Sequence, residues 1–510
     1  MDFVNRFEDA LSKGCIKTYF QPLTRTISGK VCGAEALARW EDPQRGLIPP
    51  GEFIGLLEEY RLIHKLDLAM LKNVCRFYQQ NDCKDMTFSI NLSRIDFVET
   101  DMLREITKIL SEYDVPVNTI HLEITESTML RNREKTRRLF KQFNDAGFSV
   151  WLDDFGSGYS SLNVLKDYRF DVLKIDMSLL QQFDVCSRKI IYSIINMAKA
   201  LGIHTLSEGV ETEEQLAYLR SIGCEIVQGY YYSKPLCEAD FLGYLAQHPS
   251  ESASERDFWN DAGKVNFLSG DPLMTSSDAA NSDEMLSTAP LALIEYNNGV
   301  ITYPYVNTAY IKEISKLGYN SAKQIEHDVN DEQYEYRDRF MMQIKMTIHR
   351  GGVQKMNNIM NEVVYTFSTK LVASAGDRHL IAATVHVIES ERSDYLILKY
   401  SQSLYATYNL VTEITPDKDI AVQIYSNAGF AKVYGKISLR KGILEFADHE
   451  VHPDDRDRYL TFFDLETLNE RVTHFIQQSF RVRSGEDYAL KIIRISKLKN
   501  GKYLYTIQSC

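Results

Sequence analysis

Two adjacent aspartates, Asp153 and Asp154, end an apolar stretch in the segment WLDDFGSGYSSL at residues 151–162. The segment opens like a strand and continues into glycine and serine. Neighbouring carboxylates repel each other, so one of them resists ionisation unless a positive charge lies beside it. A bound metal ion would supply that charge, whereas acidic pairs at turns are often only caps or Asx turns. The pair alone leaves both interpretations open.

The elements around this pair form an alternating pattern. Eight short apolar strands are predicted near residues 16–23, 31–40, 86–93, 119–125, 148–154, 171–176, 203–208 and 225–230. Amphipathic segments lie between most of them, and two of these segments, 133–147 and 213–223, end in glycine, as helices often do. Eight such units within roughly 240 residues predict an α/β fold, a TIM-type (β/α)8 barrel. A doubly wound open sheet is the alternative.

Polar side chains lie at the end of nearly every predicted strand, where a buried core would reject them. In a TIM-type barrel these strand ends converge on one face, so the barrel would make these residues neighbours. They are Gln21, Glu35, Arg39, Asn91, Glu123, Asp153, Asp154, Lys174, Glu208 and Gln228. One such residue has an ordinary explanation as a solvated strand end, but a full set in phase with eight strands favours a site.

The side chains of this set have chemical properties that suit a single kind of site. Carboxylate and amide oxygens are hard donors that suit Mg²⁺ or Mn²⁺. The carboxylates are more than one octahedral ion needs, and two ions about 3.5–4 Å apart are a standard arrangement for hydrolysing phosphate esters. Arg39 and Lys174 would supply positive charge for a phosphate. The set therefore predicts a two-metal site that hydrolyses a phosphate ester.

The bulk composition narrows the function classes. The net charge of −12 argues against a general nucleic-acid binder, which needs a basic face. The N-terminus shows no secretory leader, and no apolar run of about 20 residues predicts membrane insertion. The eight cysteines form no CxxC pair. That pattern suits a reducing compartment, so we expect a cytoplasmic protein.

The rest of the chain has a different character. Residues 248–288 are polar and small, which indicates a linker with a short helix near 256–268. Beyond it, strand patterns of antiparallel type occur twice, which predicts two small α+β modules, and a structural duplication is one interpretation of their similar order. The predicted domains are a barrel at 1–247, the linker at 248–288, and modules at 289–402 and 403–510.

The N-terminal motifs resemble those of the EAL-domain phosphodiesterases, which hydrolyse cyclic di-GMP. The ordered set is EALARW at 35–40, QP at 21–22, NLS at 91–93, EITES at 123–127, DDFGSGYSSL at 153–162, LKID at 173–176, EGVET at 208–212 and QGYYYSKPL at 228–236. Each motif is weak by itself, but their order over residues 3–245 is specific. The resemblance implies a modified barrel whose first strand is antiparallel to the others.

The resemblance also implies roles for individual residues. Metal ligands would be Glu35, Asn91, Glu123, Asp153, Asp154 and Glu208, with Glu35, Lys174, Glu208 and Asp153 as the catalytic set. Contacts to the dinucleotide would come from Gln21, Arg39 and Glu211, while Gln228 would order the water near the metals. Glu126 would hold the loop from Phe155 to Leu162, which in this family couples substrate and metal binding to homodimer formation.

Three functions remain open at this point: a cyclic di-GMP phosphodiesterase, a receptor that binds cyclic di-GMP with little turnover, and an interaction protein whose barrel is inert. Because inactive relatives typically lose acidic ligands and this chain keeps them, the sequence favours the enzyme. The C-terminal modules resemble PAS domains in pattern and would regulate it. The segment RGGVQK at 350–355 lacks the acids of a cyclase motif, so no linked cyclase is expected.

Overall fold

The computed structural model describes residues 2–81, 83–125, 133–157, 162–267, 289–361, 363–388, 408–426, 436–485, 487–498 and 501–509. The chain divides into two compact units. One comprises residues 1–361 with 365–388, and the other comprises residues 362–364 with 389–510. Among the described residues, no helix is both long enough and apolar enough to cross a bilayer.

Eight strands of the first unit close into a barrel. The strands are β1 (Ile16–Arg25), β2 (Val31–Asp42), β3 (Gly46–Ile48), β4 (Phe88–Leu92), β5 (Ile120–Thr125), β6 (Ser149–Phe155), β7 (Val172–Ile175), β8 (His204–Ser207) and β9 (Ile226–Val227). Strand β1 pairs antiparallel with both β2 and β9, which closes the sheet, and β3 is an added hairpin strand on β2. The predicted TIM-type barrel with an antiparallel first strand is confirmed, and the open-sheet alternative is wrong.

In the part of the chain that the structure describes, helices surround or follow the barrel strands. They are α1 (Asp2–Ser12), α2 (Pro50–Glu59), α3 (Ile63–Gln80), α4 (Asp96–Glu99), α5 (Met102–Glu112), α6 (Arg133–Asp145), α7 (Leu162–Asp167), α8 (Ser178–Gln181), α9 (Val185–Ala200), α10 (Glu213–Ser221), α11 (Glu238–Gln247) and α12 (Ala253–Gly263). Gly147 and Gly223, the predicted helix ends, have φ of 89° and 78°, a left-handed conformation that glycine adopts without strain.

Local sequence explains where the site-bearing loops stop and helices begin. Helix α10 follows Glu208 and begins with a capping box in which Thr212 accepts from the Gln215 N–H and the Gln215 side chain accepts from the Thr212 N–H. This arrangement satisfies backbone donors that the first helical turn leaves unpaired. The loop between β8 and α10 therefore has a defined end close to the strand that carries the candidate site.

The segment predicted as a linker is packed against the barrel as far as residue 267. Glu251 accepts two hydrogen bonds from the Arg25 guanidinium, at 3.1 and 3.0 Å, and both side chains are almost completely buried. Lys199 donates to the Gly263 carbonyl at the end of α12. The predicted short helix is present as α12, and residues 268–288 lie outside the described residues. The boundary at residue 247 stays a prediction.

Removing the Glu251 carboxylate is expected to destabilise the first unit strongly. In Glu251→Ala the Arg25 cation stays buried without its partner, which costs about 3–5 kcal/mol of unfolding free energy. Asp261→Ala in the following helix α12 is the matched control, because its ion pair with Lys264 at 2.6 Å is exposed and contributes only about 1 kcal/mol or less. Thermal unfolding of the full chain measures both. Equal melting temperatures for the two variants would contradict the structural role of the buried pair.

The first C-terminal module belongs to the same unit as the barrel. Its elements are β10 (Ala292–Asn297), β11 (Val300–Val306), α13 (Thr308–Ser315), α14 (Ala322–Asn330), α15 (Arg337–Arg350), β12 (Val353–Met360), β13 (Val363–Ala375) and β14 (Arg378–Ile388). The sheet has the order β11-β10-β14-β13-β12. Asn298 and Gly299 form the β10–β11 turn with positive φ at both positions, as the Asn-Asn-Gly sequence predicts.

The second unit has a sheet of the same order. Its elements are β15 (Leu410–Thr415), β16 (Ile420–Ser426), β17 (Lys436–Ser438), α16 (Leu439–His449), α17 (Arg456–Phe462), α18 (Leu468–Arg471), β18 (Phe475–Ser484), β19 (Asp487–Lys497) and β20 (Tyr503–Ser509). The order is β17-β16-β15-β20-β19-β18, so apart from β17 both sheets run second-first-fifth-fourth-third. The sequence also predicts a strand at 393–402 and a hairpin turn at Asn500-Gly501, and both the strand and Asn500 lie outside the described residues.

Candidate active site

The carboxyl ends of the parallel strands meet at one mouth of the barrel. The predicted site residues lie on or directly after these strands: Glu35 and Arg39 on β2, Asn91 on β4, Glu123 on β5, Asp153 and Asp154 on β6, Lys174 on β7, Glu208 after β8 and Gln228 after β9. Gln21 lies on the antiparallel β1 and is directly opposite Glu35 in the β1–β2 register. Residues spread over more than 200 positions of sequence therefore share one end of the barrel.

The Lys174 ammonium group is the centre of the cluster. Its side chain is 1% exposed, and four carboxylates surround it. The distances from Nζ are 2.5 Å to Glu123 Oε2, 2.7 Å to Glu208 Oε1, 3.1 Å to Asp153 Oδ1 and 3.5 Å to Glu35 Oε2. One cation cannot neutralise four carboxylates, so the cluster has an excess of negative charge when all are ionised.

Burial and mutual repulsion raise the pKa of several of these acids. Burial is the largest cause for Glu123, whose pKa is well above its usual value, and for Glu208, whose pKa rises to about 7. Burial and then the Asp153 charge raise the pKa of Asp154 to about 6. Because of these raised pKa values, protons bound to the acids neutralise part of the negative charge that a divalent cation would otherwise balance.

Two other members of the cluster favour the charged form. Burial disfavours ionisation of Glu35, but Lys174 and the amide hydrogen bonds outweigh it, so its pKa lies below the usual value. Burial would lower the pKa of Lys174, but the surrounding carboxylates raise it well above the usual value. A Glu35 carboxylate and a Lys174 ammonium are thus the fixed charges at the centre of the mouth.

Three amide side chains position the Glu35 carboxylate. Asn91 Nδ2 donates to Glu35 Oε1 at 2.9 Å, and Gln228 Nε2 donates to Glu35 Oε2 at 2.7 Å. Gln228 Nε2 also donates to Gln21 Oε1 at 3.0 Å, and Gln21 in turn donates to the Ser233 carbonyl at 3.2 Å. The buried Gln228 Oε1 has no hydrogen-bond partner among the described residues. This network holds one carboxylate in place and leaves an acceptor available to a bound species.

The backbone explains how two consecutive aspartates reach the same site. Side chains of neighbouring residues in a regular strand point to opposite faces. Between Leu152 and Phe155 the pairing of β6 with β7 is irregular, and Asp154 has a φ of 57°, a left-handed conformation that is uncommon outside glycine. Carboxylate oxygens of Asp153, Asp154 and Glu208 consequently lie within 4.8 Å of one another. Three oxygens at this spacing can hold one metal ion.

The remaining predicted residues are placed as follows. The Arg39 guanidinium lies over the Tyr19 ring, 5.5 Å from its centroid, and Nη1 donates to the Ala38 carbonyl at 2.8 Å. Glu211 is exposed, and its backbone N–H donates to Gln215 Oε1 at 2.8 Å. Glu126 and residues 158–161 of the adjoining loop lie outside the described residues. Arg39 and Glu211 are thus not part of the buried cluster.

Tyr19 is a contact of Arg39 that the sequence reasoning missed. Tyr19 pairs with Leu37 and Lys17 with Arg39, which makes Tyr19 and Arg39 diagonal neighbours across the β1–β2 ladder. Tyr19 also precedes Gln21 by two residues on the same face of β1. The alternation of side chains along β1 would have indicated this contact, but only if the antiparallel register of β1 and β2 had been known.

The family model described as the EAL domain matches residues 4–235. The N-terminal part of this chain is therefore an EAL domain with homology to cyclic di-GMP phosphodiesterases. A relative named cyclic di-GMP phosphodiesterase NbdA from Pseudomonas aeruginosa is 33% identical over 249 residues, which is 48% of this chain and 32% of that protein. Cyclic di-GMP phosphodiesterase RocR from the same organism is 32% identical over 242 residues, 46% of this chain and 61% of that protein.

A solved structure, the PaMucR phosphodiesterase in complex with c-di-GMP, has 30% identity and a TM-score of 0.45. The matched region spans 47% of this chain and 100% of the PaMucR chain. The curated relatives are longer than the matched region, and this chain spans about a third of NbdA and 61% of RocR.

Proposed function

We propose that this chain is a cyclic di-GMP phosphodiesterase, a hydrolase that adds water to one phosphodiester bond and releases the linear dinucleotide pGpG. The observation that carries the proposal is the cluster of four carboxylates around the buried Lys174 at the barrel mouth. The EAL match over residues 4–235 and the relatives named for this activity support the substrate.

The donors at the mouth fit divalent metal ions. Oxygen ligands of carboxylates and an amide suit Mg²⁺ or Mn²⁺. Two buried oxygens, Glu123 Oε1 and Gln228 Oε1, have no partner among the described residues, and three carboxylates lie within 4.8 Å of one another. We assign two ions to Glu35, Asn91, Glu123, Asp153, Asp154 and Glu208. When bound, they would lower the pKa of the attacking water and balance charge on the phosphate.

The chain's own residues would do the positioning. Lys174 supplies a buried positive charge that can lie beside the phosphate or the attacking water, since its high pKa keeps it protonated. Gln21 and Gln228 orient Glu35 through one hydrogen-bond chain. Arg39 is held by Tyr19 at the edge of the mouth, where its planar fork can bind a phosphate of the dinucleotide with two hydrogen bonds. Glu211, exposed after β8, would contact the same ligand.

The direct experiment separates the enzyme from a cyclic di-GMP receptor. Purified full chain is incubated with cyclic di-GMP and Mg²⁺ or Mn²⁺, and the linear product is followed by chromatography. We expect metal-dependent conversion that stops when EDTA removes the ions, because the proposal assigns to the ions the lowering of the pKa of the attacking water. Binding of cyclic di-GMP without any product at saturating metal would identify a receptor instead.

Substitutions of the two adjacent aspartates should differ in degree. We assign Asp153, which contacts Lys174, to both ions and Asp154 to one. Asp153→Asn should lose metal affinity and turnover together, whereas Asp154→Asn should recover part of its activity at high Mn²⁺ by mass action. Turnover and melting temperature are measured against metal concentration for both variants. Loss of stability in both, with no metal dependence in the wild type, would mean that the pair only caps a loop.

The C-terminal modules are proposed to be PAS-like and to regulate the barrel. Their shared strand order, second-first-fifth-fourth-third, supports a duplicated module of one fold. Helix α12 carries Phe258 and Trp259 into a cluster with Leu293 and Leu380 of the first module, so this module packs on a helix that follows the barrel. We further propose a homodimer in the cytoplasm.

A further inference from the structure

A second cavity lies within the first unit, among residues at the amino ends of the barrel strands. Its volume is about 460 Å³, which is in the range of small-molecule sites. Its lining includes Cys32 near the start of β2, Trp151 on β6 and Val172 at the start of β7, together with Arg256 and Asn260 of α12. The carboxylate cluster lies at the opposite, carboxyl ends of these strands. The cavity is thus separate from the candidate active site.

Among the described residues, three buried nitrogen atoms of side chains that line this cavity have no hydrogen-bond partner. Arg25 is 2% exposed, and its Nη1 has no hydrogen-bond partner, although its Nε and Nη2 bind Glu251 and Nη2 also binds Asn260. Arg256 Nε and His121 Nδ1 are likewise buried and unpartnered. Leaving such groups unpaired is costly, so in a cavity of this size they are expected to pair with water or with a bound ligand.

The ring of His121 is fixed and uncharged. It stacks on the Trp151 indole at 4.7 Å with an interplanar angle of 20°. Burial, and then the Arg256 charge, lower the pKa of His121 to about 3, so the imidazole is neutral and can donate one hydrogen bond. A neutral hydrogen-bond donor beside two guanidinium groups suits the binding of an oxyanion.

The acids near the cavity do not compensate these donors. Glu251 is already bound twice by Arg25. Asp171 Oδ2 accepts from the Val150 N–H at 2.9 Å, and Asp257 lies on the exposed side of α12. The buried side-chain nitrogens of the cavity that remain without a hydrogen-bond partner among the described residues are therefore those of Arg25, Arg256 and His121.

We propose that this cavity binds a small organic molecule through an oxyanion group, a carboxylate or a phosphate, held by Arg25 Nη1, Arg256 Nε and His121. The remainder of the ligand lies along the polar wall that Asn260 helps to form. Because α12 also packs its aromatic residues against the first C-terminal module, such a ligand would link the base of the barrel to the helix that contacts that module. Arg378 of the module lies over Phe258, 4.3 Å from the ring centroid, on the same helix.

Calorimetry on the full chain tests the proposal, with inorganic phosphate, glycerol 3-phosphate and succinate as probes at matched ionic strength. EDTA is present so that phosphate cannot bind through divalent ions at the barrel mouth. We expect saturable binding of at least one probe. Binding of the two phosphates alone identifies a phosphate ligand, and binding of succinate alone identifies a carboxylate. No saturable binding of any probe would overturn the proposal.

Two variants and one control locate the binding. Arg256→Gln removes a donor and is expected to raise the Kd at least about tenfold, a loss of about 1.4 kcal/mol. His121→Phe keeps the aromatic stack on Trp151 but removes the donor, so it decides the matter if Arg256→Gln fails to fold. Arg76→Gln, on the exposed side of α3, should leave the Kd unchanged. Wild-type affinity in both folded cavity variants would refute the site.

Hydrogen exchange gives an independent readout. A ligand in this cavity should slow amide exchange in α12, residues 253–263. Protection confined to the loops at the barrel mouth would mean that the probe binds the candidate active site, and the proposal would then be wrong. Neither result depends on turnover, so the test is independent of the phosphodiesterase proposal.

Discussion

Glu35→Gln is expected to lower cyclic di-GMP hydrolysis by at least about a hundredfold, equivalent to about 2.7 kcal/mol of transition-state stabilisation. The carboxylate is the best-oriented acid of the cluster, with hydrogen bonds from Asn91 and Gln228 at 2.9 and 2.7 Å. Glutamine has nearly the same volume but no negative charge, and its amide cannot both accept those bonds and serve as a charged metal ligand. Initial rates at several Mn²⁺ concentrations measure the loss.

The matched control is Glu112→Gln, which is exposed at the end of α5 and is not part of the carboxylate cluster. It should keep the wild-type rate. Binding of cyclic di-GMP by Glu35→Gln should survive in part, because Arg39 and Gln21 are unchanged. Normal turnover in Glu35→Gln would contradict the assignment of this residue to the metals.

Lys174→Met is expected to abolish most activity and to make the protein depend on metal for its stability. The substitution removes a buried ammonium group that lies within 3.5 Å of four carboxylates. Breaking a buried ionic cluster by deleting one partner costs about 3–5 kcal/mol of unfolding free energy. Divalent ions bound at the same acids would replace the lost charge, so added Mn²⁺ should raise the melting temperature of the variant more than that of the wild type.

Melting temperatures of the wild type, Lys174→Met and the control Lys72→Met are compared across a Mn²⁺ titration. Lys72 is exposed on α3, and its substitution should change neither the melting temperature nor its metal dependence. If the curves of Lys174→Met and the wild type shift in parallel, the metals do not bind among the acids that surround Lys174. The two-metal assignment would then have to be abandoned even if hydrolysis persists.

Much of the barrel could be predicted from local pattern. The eight strands lie within a few residues of the predicted bounds, because each apolar run is short and most of the runs are separated by amphipathic segments, two of which end in glycine. The polar residues at their ends were also visible, since a core rejects Glu123 or Lys174 unless they have partners. The antiparallel direction of β1 came only from the resemblance, because alternation of apolar residues is the same in either direction.

The amino-acid composition of residues 249–267 did not indicate that this segment packs against the barrel. Ser, Glu and Asp are frequent in this segment, which is typical of a linker, yet Glu251 is 1% exposed because Arg25 on β1 lies opposite it. Such a pairing joins positions that are far apart in the chain, so no local pattern signals it. The cavity that Arg256 helps to line escaped prediction for the same reason.

The sequence by itself determined which polar side chains would lie at the barrel mouth, since acid, amide and lysine side chains recur at the ends of successive strands. Only the tertiary structure decided how they meet. The irregular pairing of β6 and the left-handed backbone at Asp154 bring two adjacent aspartates to one point, and closure of the barrel places Gln228 beside Glu35. Backbone irregularity and barrel closure depend on contacts between strands distant in sequence, which residue types and spacing do not encode.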